Sequence, residues 1–172
     1  PIRSFLFAPG DSEKKMGKAL SGPADAVILD LEDSVLPDQK PVARILVAQA
    51  LAFASSAQKW VRVNPLDTGN LDADLAVCQP NLPDGIVLPK AQGPADIATL
   101  SQALDVFDPD QNIKILPIVT ETAAAPLRLS EYADAHLPRL WGMTWGAEDL
   151  ATDIGASANK DAGGEFFPVF QM

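Results

Sequence analysis

The sequence predicts an alternating α/β fold, a (β/α)8 TIM barrel that stops after about six βα units. Three observations carry this expectation: short apolar runs dense enough to be buried on both faces, a helical pattern after each run, and a regular beat. Strands are expected at residues 3–8, 26–31, 60–64, 85–88, 113–120 and 140–145. Helical patterns fall between them at 12–20, 41–54, 71–78, 95–106 and 123–135, with a further one opening at Glu148. Each has N-terminal punctuation, such as Asp11 or Ser12 before the first and Pro94 before the fourth. The strand starts advance from residue 3 to residue 140 in five steps of about 27 residues, whereas a complete barrel runs to roughly 250. With 172 residues, residues 1–172 are therefore read as one incomplete barrel domain. A six-stranded doubly wound sheet also fits this length. Against it, the turn after the first strand reads Phe7-Ala8-Pro9-Gly10-Asp11 rather than Gly-x-Gly-x-x-Gly. Pro1 stands where an initiating Met is expected, which implies residues lost in front.

Composition narrows the function before any motif is used. The chain is 47% hydrophobic and 21% charged, ordinary for a folded globular domain. A formal charge of −10 argues against a grip on nucleic acid or anionic lipid, since such binding rests on clustered Lys and Arg. No apolar stretch is long enough to span a membrane, and no basic region with an apolar core opens the chain. Cys78 is the only cysteine, so no disulfide forms within the chain, and a cytoplasmic location is expected. His136 is the only histidine and sits beside Pro138, which removes multi-histidine metal sites and leaves no Gly-x-Ser-x-Gly hydrolase centre.

In a βα barrel the chemistry sits at the C-terminal ends of the strands, and here those ends are acidic. Strand two ends in Asp30-Leu31-Glu32-Asp33, strand three in Arg62-Val63-Asn64, strand four in Pro89-Lys90, strand five in Thr120-Glu121 and strand six in Gly146-Ala147-Glu148-Asp149. Neighbouring parallel strands lie about 4.8 Å apart, so Glu121 and Asp149 can place two carboxylates around one ion. Such a pair suits Mg²⁺, which keeps part of its water shell; equally, both residues suit the first turn of a helix. Arg62 stands in an apolar strand and needs a carboxylate partner, either an internal acid of strand two or a substrate oxoacid held by its planar fork. Lys90 is a candidate for a Schiff-base aldolase if burial lowers its pKa, and otherwise for a salt bridge to a barrel acid.

The segments Arg3-Ser-Phe-Leu-Phe-Ala-Pro-Gly-Asp11, Ala26-Val-Ile-Leu-Asp-Leu-Glu-Asp-Ser-Val35, Val61-Arg-Val-Asn64, Gly85-Ile-Val-Leu-Pro-Lys90, Val119-Thr-Glu-Thr-Ala123 and Gly146-Ala-Glu-Asp-Leu-Ala151 resemble the citrate lyase beta-subunit-like proteins. These belong to the Mg²⁺-dependent aldolases and acyl-CoA lyases. The resemblance covers essentially the whole chain in the right order. It implies a (β/α)8 barrel in which Glu121 and Asp149 bind Mg²⁺, Arg62 holds the oxoacid carboxylate, and backbone amides from Gly146, Ala147, Glu148 and Asp149 assist. It implies a carbon–carbon lyase that cleaves a citryl-, malyl- or citramalyl-CoA-like 3-hydroxyacyl thioester, or a small hydroxy-oxoacid, into an oxoacid and an acyl enolate product. Implied partners are a small oxoacid, CoA or an acyl-carrier thioester, and a second copy of the chain. Relatives place an Arg directly after Pro-Gly-Asp to meet a phosphate; here Ser12 and Glu13 follow, so Lys14 or Lys15 takes that part as a point charge. Relatives also continue into two more βα units and a C-terminal lid, none of which is expected within residues 1–172. Asp30, Glu32 and Asp33 complete the candidate list. The rival readings are a Lys90 aldolase and a non-catalytic or carrier-docking subunit of a lyase complex.

Overall fold

The computed structural model describes residues 2–171. Five strands, β1 (Phe5–Pro9), β2 (Ala26–Asp30), β3 (Gln58–Arg62), β4 (Gly85–Leu88) and β5 (Lys114–Pro117), form one parallel sheet in the order β1-β2-β3-β4-β5. Helices α1 (Glu13–Leu20), α2 (Lys40–Ala52), α3 (Leu71–Ala76) and α4 (Pro94–Asp105) connect them, and α5 (Ala147–Asp153) follows β5. A doubly wound sheet reverses its strand order at a switch point. No reversal occurs among the described strands, each pairing with its sequence neighbour. No described helix is long and apolar enough to cross a membrane.

The helices begin where local chemistry lets them. Ser12 caps α1 by accepting from the Lys15 N–H at 3.4 Å, and Pro41 and Pro94 occupy the first turns of α2 and α4, where no N–H is missed. Their buried residues recur at helical spacing: Ala43, Val47 and Leu51 in α2, and Ile97, Leu100 and Leu104 in α4. Together with Val27, Leu29, Val61, Ile86 and Ile115 from one sheet face, they make the larger core. The alternate residues Ala26, Ile28, Trp60, Val87 and Leu116 make a second apolar layer on the other face. Trp60 anchors this layer, with its ring 5.5 Å from both Phe5 and Trp141 in edge contacts. Gly85 is required beside it, because a Cβ there would fall 2.2 Å from Trp60 Cζ3.

Two expected elements take other forms. The strand expected at 140–145 reduces to two parallel bridges, Ile115 with Leu140 and Ile118 with Thr144. Pro117 has no N–H to give at the middle of this ladder. Three residues on β5, Ile115 to Pro117, then face four on the partner, whose Trp141 and Thr144 donate to the Ile115 and Pro117 carbonyls at 2.9 Å each. This is a bulge. The helix expected at 123–135 is a 3₁₀ helix over Pro126–Ala133 with only Tyr132 buried, since Pro126 interrupts α-helical pairing with the Ala run before it. After α5 the chain folds back: Lys160 and Phe166 form an antiparallel bridge, and Phe166 meets the Trp145 ring at 5.1 Å.

Candidate active site

The parallel register brings the acidic strand ends to one side of the sheet. Asp30 and Arg62 are direct register partners, and the guanidinium donates from Nε to Asp30 Oδ1 and from Nη2 to Oδ2, both at 2.7 Å. Arg62 Nη1 lies 3.1 Å from Glu32 Oε2, and its carbon centre is 4.8 Å from the Phe7 ring. Burial would raise the Asp30 carboxyl, but Arg62 outweighs it and holds the group below its ordinary range. The turn after β2 exists to present these acids, with Asp30 accepting from the Glu32 and Ser34 N–H groups at 2.9 and 3.1 Å. Glu32 is 4% exposed, and burial raises its pKa despite two cationic neighbours.

Lys90 lies just beyond β4, with Nζ 2.5 Å from Glu32 Oε1 and 3.5 Å from Asp33 Oδ2. Burial alone would lower its pKa, yet the hydrogen bond and charge of Glu32 more than compensate, and the net direction is upward. A Schiff-base lysine needs the opposite shift, so that its amine is free. The geometry therefore removes the support for the Lys90 aldolase and leaves the salt-bridge alternative.

Glu121, 3% exposed, accepts from the Lys90 backbone N–H at Oε2, 2.6 Å away. Burial is the largest influence on its carboxyl; the Lys90 N–H opposes it, while the hydrogen bond and charge of Asp149 reinforce it and push the group up to about 8. Two carboxyls in hydrogen-bond contact at neutral pH must share a proton or a cation. Among the described residues neither side chain forms an ion pair, and no third His, Cys, Asp or Glu joins them in a metal-sized group. That donor set fits Mg²⁺, which takes one or two carboxylates and fills its remaining positions with water or substrate oxygen. A cavity of about 380 Å³ opens beside the pair, lined by Phe7, Ile28, Val87, Ile118 and Trp145.

The remaining expected residues are placed differently from one another. The Gly146 N–H is not free, because it donates to Thr120 Oγ1 at 2.8 Å. Glu148 is turned to the returning chain, accepting from Asn159 Nδ2 at 2.6 Å and meeting Lys160 Nζ at 3.1 Å. Asp149 remains against Glu121. Lys14 and Lys15 stand in the first turn of α1, just after β1. Residues passed over by the sequence reading are Thr120, Phe7 and Phe166; Thr120, adjacent to Glu121 at a strand end, carried the one local signal. Gly146 is needed for its lack of a side chain, since a Cβ would fall 2.8 Å from Glu121 Cγ. Gly146→Ala is expected to displace Glu121 and weaken Mg²⁺ binding about tenfold, with a smaller effect on thermal stability. Calorimetric titration with Mg²⁺ checks this.

Comparison with known proteins places the chain. Residues 3–168 match the model of the HpcH/HpaI aldolase/citrate lyase family. A (3S)-malyl-CoA thioesterase of Cereibacter sphaeroides is 39% identical over 165 residues, covering 94% of this chain and 54% of that protein. The mitochondrial citramalyl-CoA lyase of Rattus norvegicus is 32% identical over 176 residues, covering 94% and 52%. The chain thus spans about half the length of the curated relatives it matches. Among solved structures, Mycobacterium tuberculosis CitE in complex with magnesium and acetoacetate superposes with a TM-score of 0.81 at 31% identity, over 97% of this chain and 63% of that one. The same protein with magnesium, acetoacetate and coenzyme A gives 0.79 at 31% identity, over 97% and 57%. The parallel α/β architecture is similar to that of the citrate lyase beta subunit of Mycobacterium tuberculosis, and the chain belongs to the HpcH/HpaI aldolase/citrate lyase family.

Proposed function

We propose that this chain carries the catalytic face of a Mg²⁺-dependent carbon–carbon lyase acting on a malyl-, citramalyl- or citryl-CoA-like thioester. The observation that carries the reading is the contact between buried Glu121 and half-buried Asp149, set at the same sheet end as the Arg62 cluster. Its sheet is taken as part of a (β/α)8 barrel, because the strands follow in unbroken order and the edge of β1, with Leu6 and Phe7 nearly half exposed, is open to further pairing. In this reading Glu121 and Asp149 hold the metal, which when bound polarises the oxygen that is a hydroxyl in the substrate and a carbonyl in the product. Arg62 presents its Nη1 side to the oxoacid carboxylate, while Asp30 fixes the guanidinium plane from the other edge. The apolar lining of the cavity excludes water from the acyl enolate left when the carbon–carbon bond breaks. Lys14 and Lys15 meet thioester phosphates at the mouth, and the working form is a cytoplasmic homo-oligomer.

The thioesterase name of the C. sphaeroides relative makes hydrolysis of the thioester the second reading. The two differ in products, so the complete protein with malyl-CoA decides between them. The lyase reading requires glyoxylate and acetyl-CoA, released only with Mg²⁺ and stopped by chelation. Malate and free CoA as the sole products, or turnover that survives a chelator, overturn it.

A further inference from the structure

Lys90 bonds to both halves of the site, to Glu121 through its backbone and to Glu32 through its side chain. Its φ of 52° lies in the left-handed region that side chains seldom adopt. That conformation turns its N–H to Glu121 Oε2 at 2.6 Å, while its side chain runs the other way to Glu32 Oε1 at 2.5 Å. Glu32 is buried, and its second oxygen, Oε2, is 3.1 Å from Arg62 Nη1 without a hydrogen bond to it or to any other group. The guanidinium edge made by Nε and Nη2 is already taken by Asp30. Nη1 is therefore the part of Arg62 left for an incoming carboxylate, and Glu32 is the internal acid placed to capture it.

We propose that Lys90 is a positioning residue: its ammonium occupies Glu32 so that Arg62 Nη1 stays available to the oxoacid, while its backbone holds Glu121 toward Asp149. Without the ammonium, a buried Glu32 carboxylate has one cation left to satisfy it, and that cation is Arg62. Substrate carboxylate then competes with an internal one. The backbone arm is untouched by side-chain replacement, so metal binding and oxoacid binding separate. This inference rests on the proposed function, in which Glu121 holds the metal and Arg62 the oxoacid.

The test is calorimetry on the complete protein, titrating Mg²⁺ alone and then oxaloacetate in the presence of Mg²⁺. Lys90→Met is expected to leave Mg²⁺ affinity within about threefold of the parent and weaken oxaloacetate about tenfold, as for loss of one charge-assisted hydrogen bond. Lys90→Arg restores most of the loss. In a Glu32→Gln background there is no carboxylate to occupy, so Glu32→Gln and Glu32→Gln/Lys90→Met should bind oxaloacetate alike. That comparison also holds if Lys90→Met alone fails to fold, because the double variant removes both charges of the pair. If Arg62→Lys weakens oxaloacetate while Lys90→Met does not, or if the Lys90→Met loss persists undiminished beside Glu32→Gln, the positioning role is wrong and the reading of Arg62 stands. If Arg62→Lys leaves oxaloacetate binding unchanged, the reading of Arg62 fails and takes this role with it.

Discussion

Asp30→Asn is expected to cost about 3 kcal/mol of stability, at the lower end for breaking a buried ion pair, and to lower Tm by roughly 10 °C in a chain of this size. The bidentate partner of Arg62 disappears, and the guanidinium, whose side chain is 12% exposed, keeps only the Nη1 approach to Glu32. That residual contact is why the low end applies. The turn itself survives, since one Asn oxygen can still accept an N–H from Glu32 or Ser34. The sign with pH follows from Asp30 being held below its ordinary range. Its contribution is present above the unfolded carboxyl's pKa and is lost as pH falls through the lower folded value. The variant should therefore differ most from the parent near neutrality and converge with it in acid, as thermal denaturation across that range would show.

Trp60→Ala is expected to cost about 3–5 kcal/mol, the range for truncating a large buried aromatic. Trp60 is 1% exposed and fills the face of the sheet that the helices do not cover. Its removal leaves a void between Phe5 and Trp141 and strips Gly85 of the neighbour that makes it necessary. A smaller loss in chemical denaturation would mean that this layer collapses to refill the space. A double variant Trp60→Phe/Gly85→Ala, which trades ring volume for a methyl, should recover part of the loss.

The positions of β1 to β5 were legible because burial on both faces leaves a dense apolar run, and all five α-helices fall on expected helical patterns, three of them punctuated by Ser12, Pro41 and Pro94. Residues 123–135 and 140–145 were misread as helix and strand, and a proline disrupts each: Pro126 within the Ala-rich run, and Pro117 on the neighbouring strand, whose missing donor no local pattern at 140–145 reveals. Within the candidate site, strand-end position was enough to nominate Arg62, Glu121 and Asp149, because parallel register carries consecutive strand ends to one place. Which acid holds Arg62 was open in the sequence, and three-dimensional register decides it for Asp30. Two contacts could not be read at all. The Lys90 N–H reaches Glu121 through a left-handed backbone that its residue type disfavours. Glu148 is drawn away by Asn159 and Lys160, which arrive through a fold-back that follows it.

Direct titration of Mg²⁺ into the complete protein tests the proposed Glu121–Asp149 magnesium site without reference to substrate. A single binding event is expected in the parent, weakened at least about tenfold in both Asp149→Asn and Glu121→Gln, each of which removes one of the two proposed anionic ligands. Circular dichroism of the two variants should match the parent, since neither carboxylate forms an ion pair that the described fold depends on. Equal Mg²⁺ affinity in the parent and both variants would mean that these carboxylates do not hold the metal.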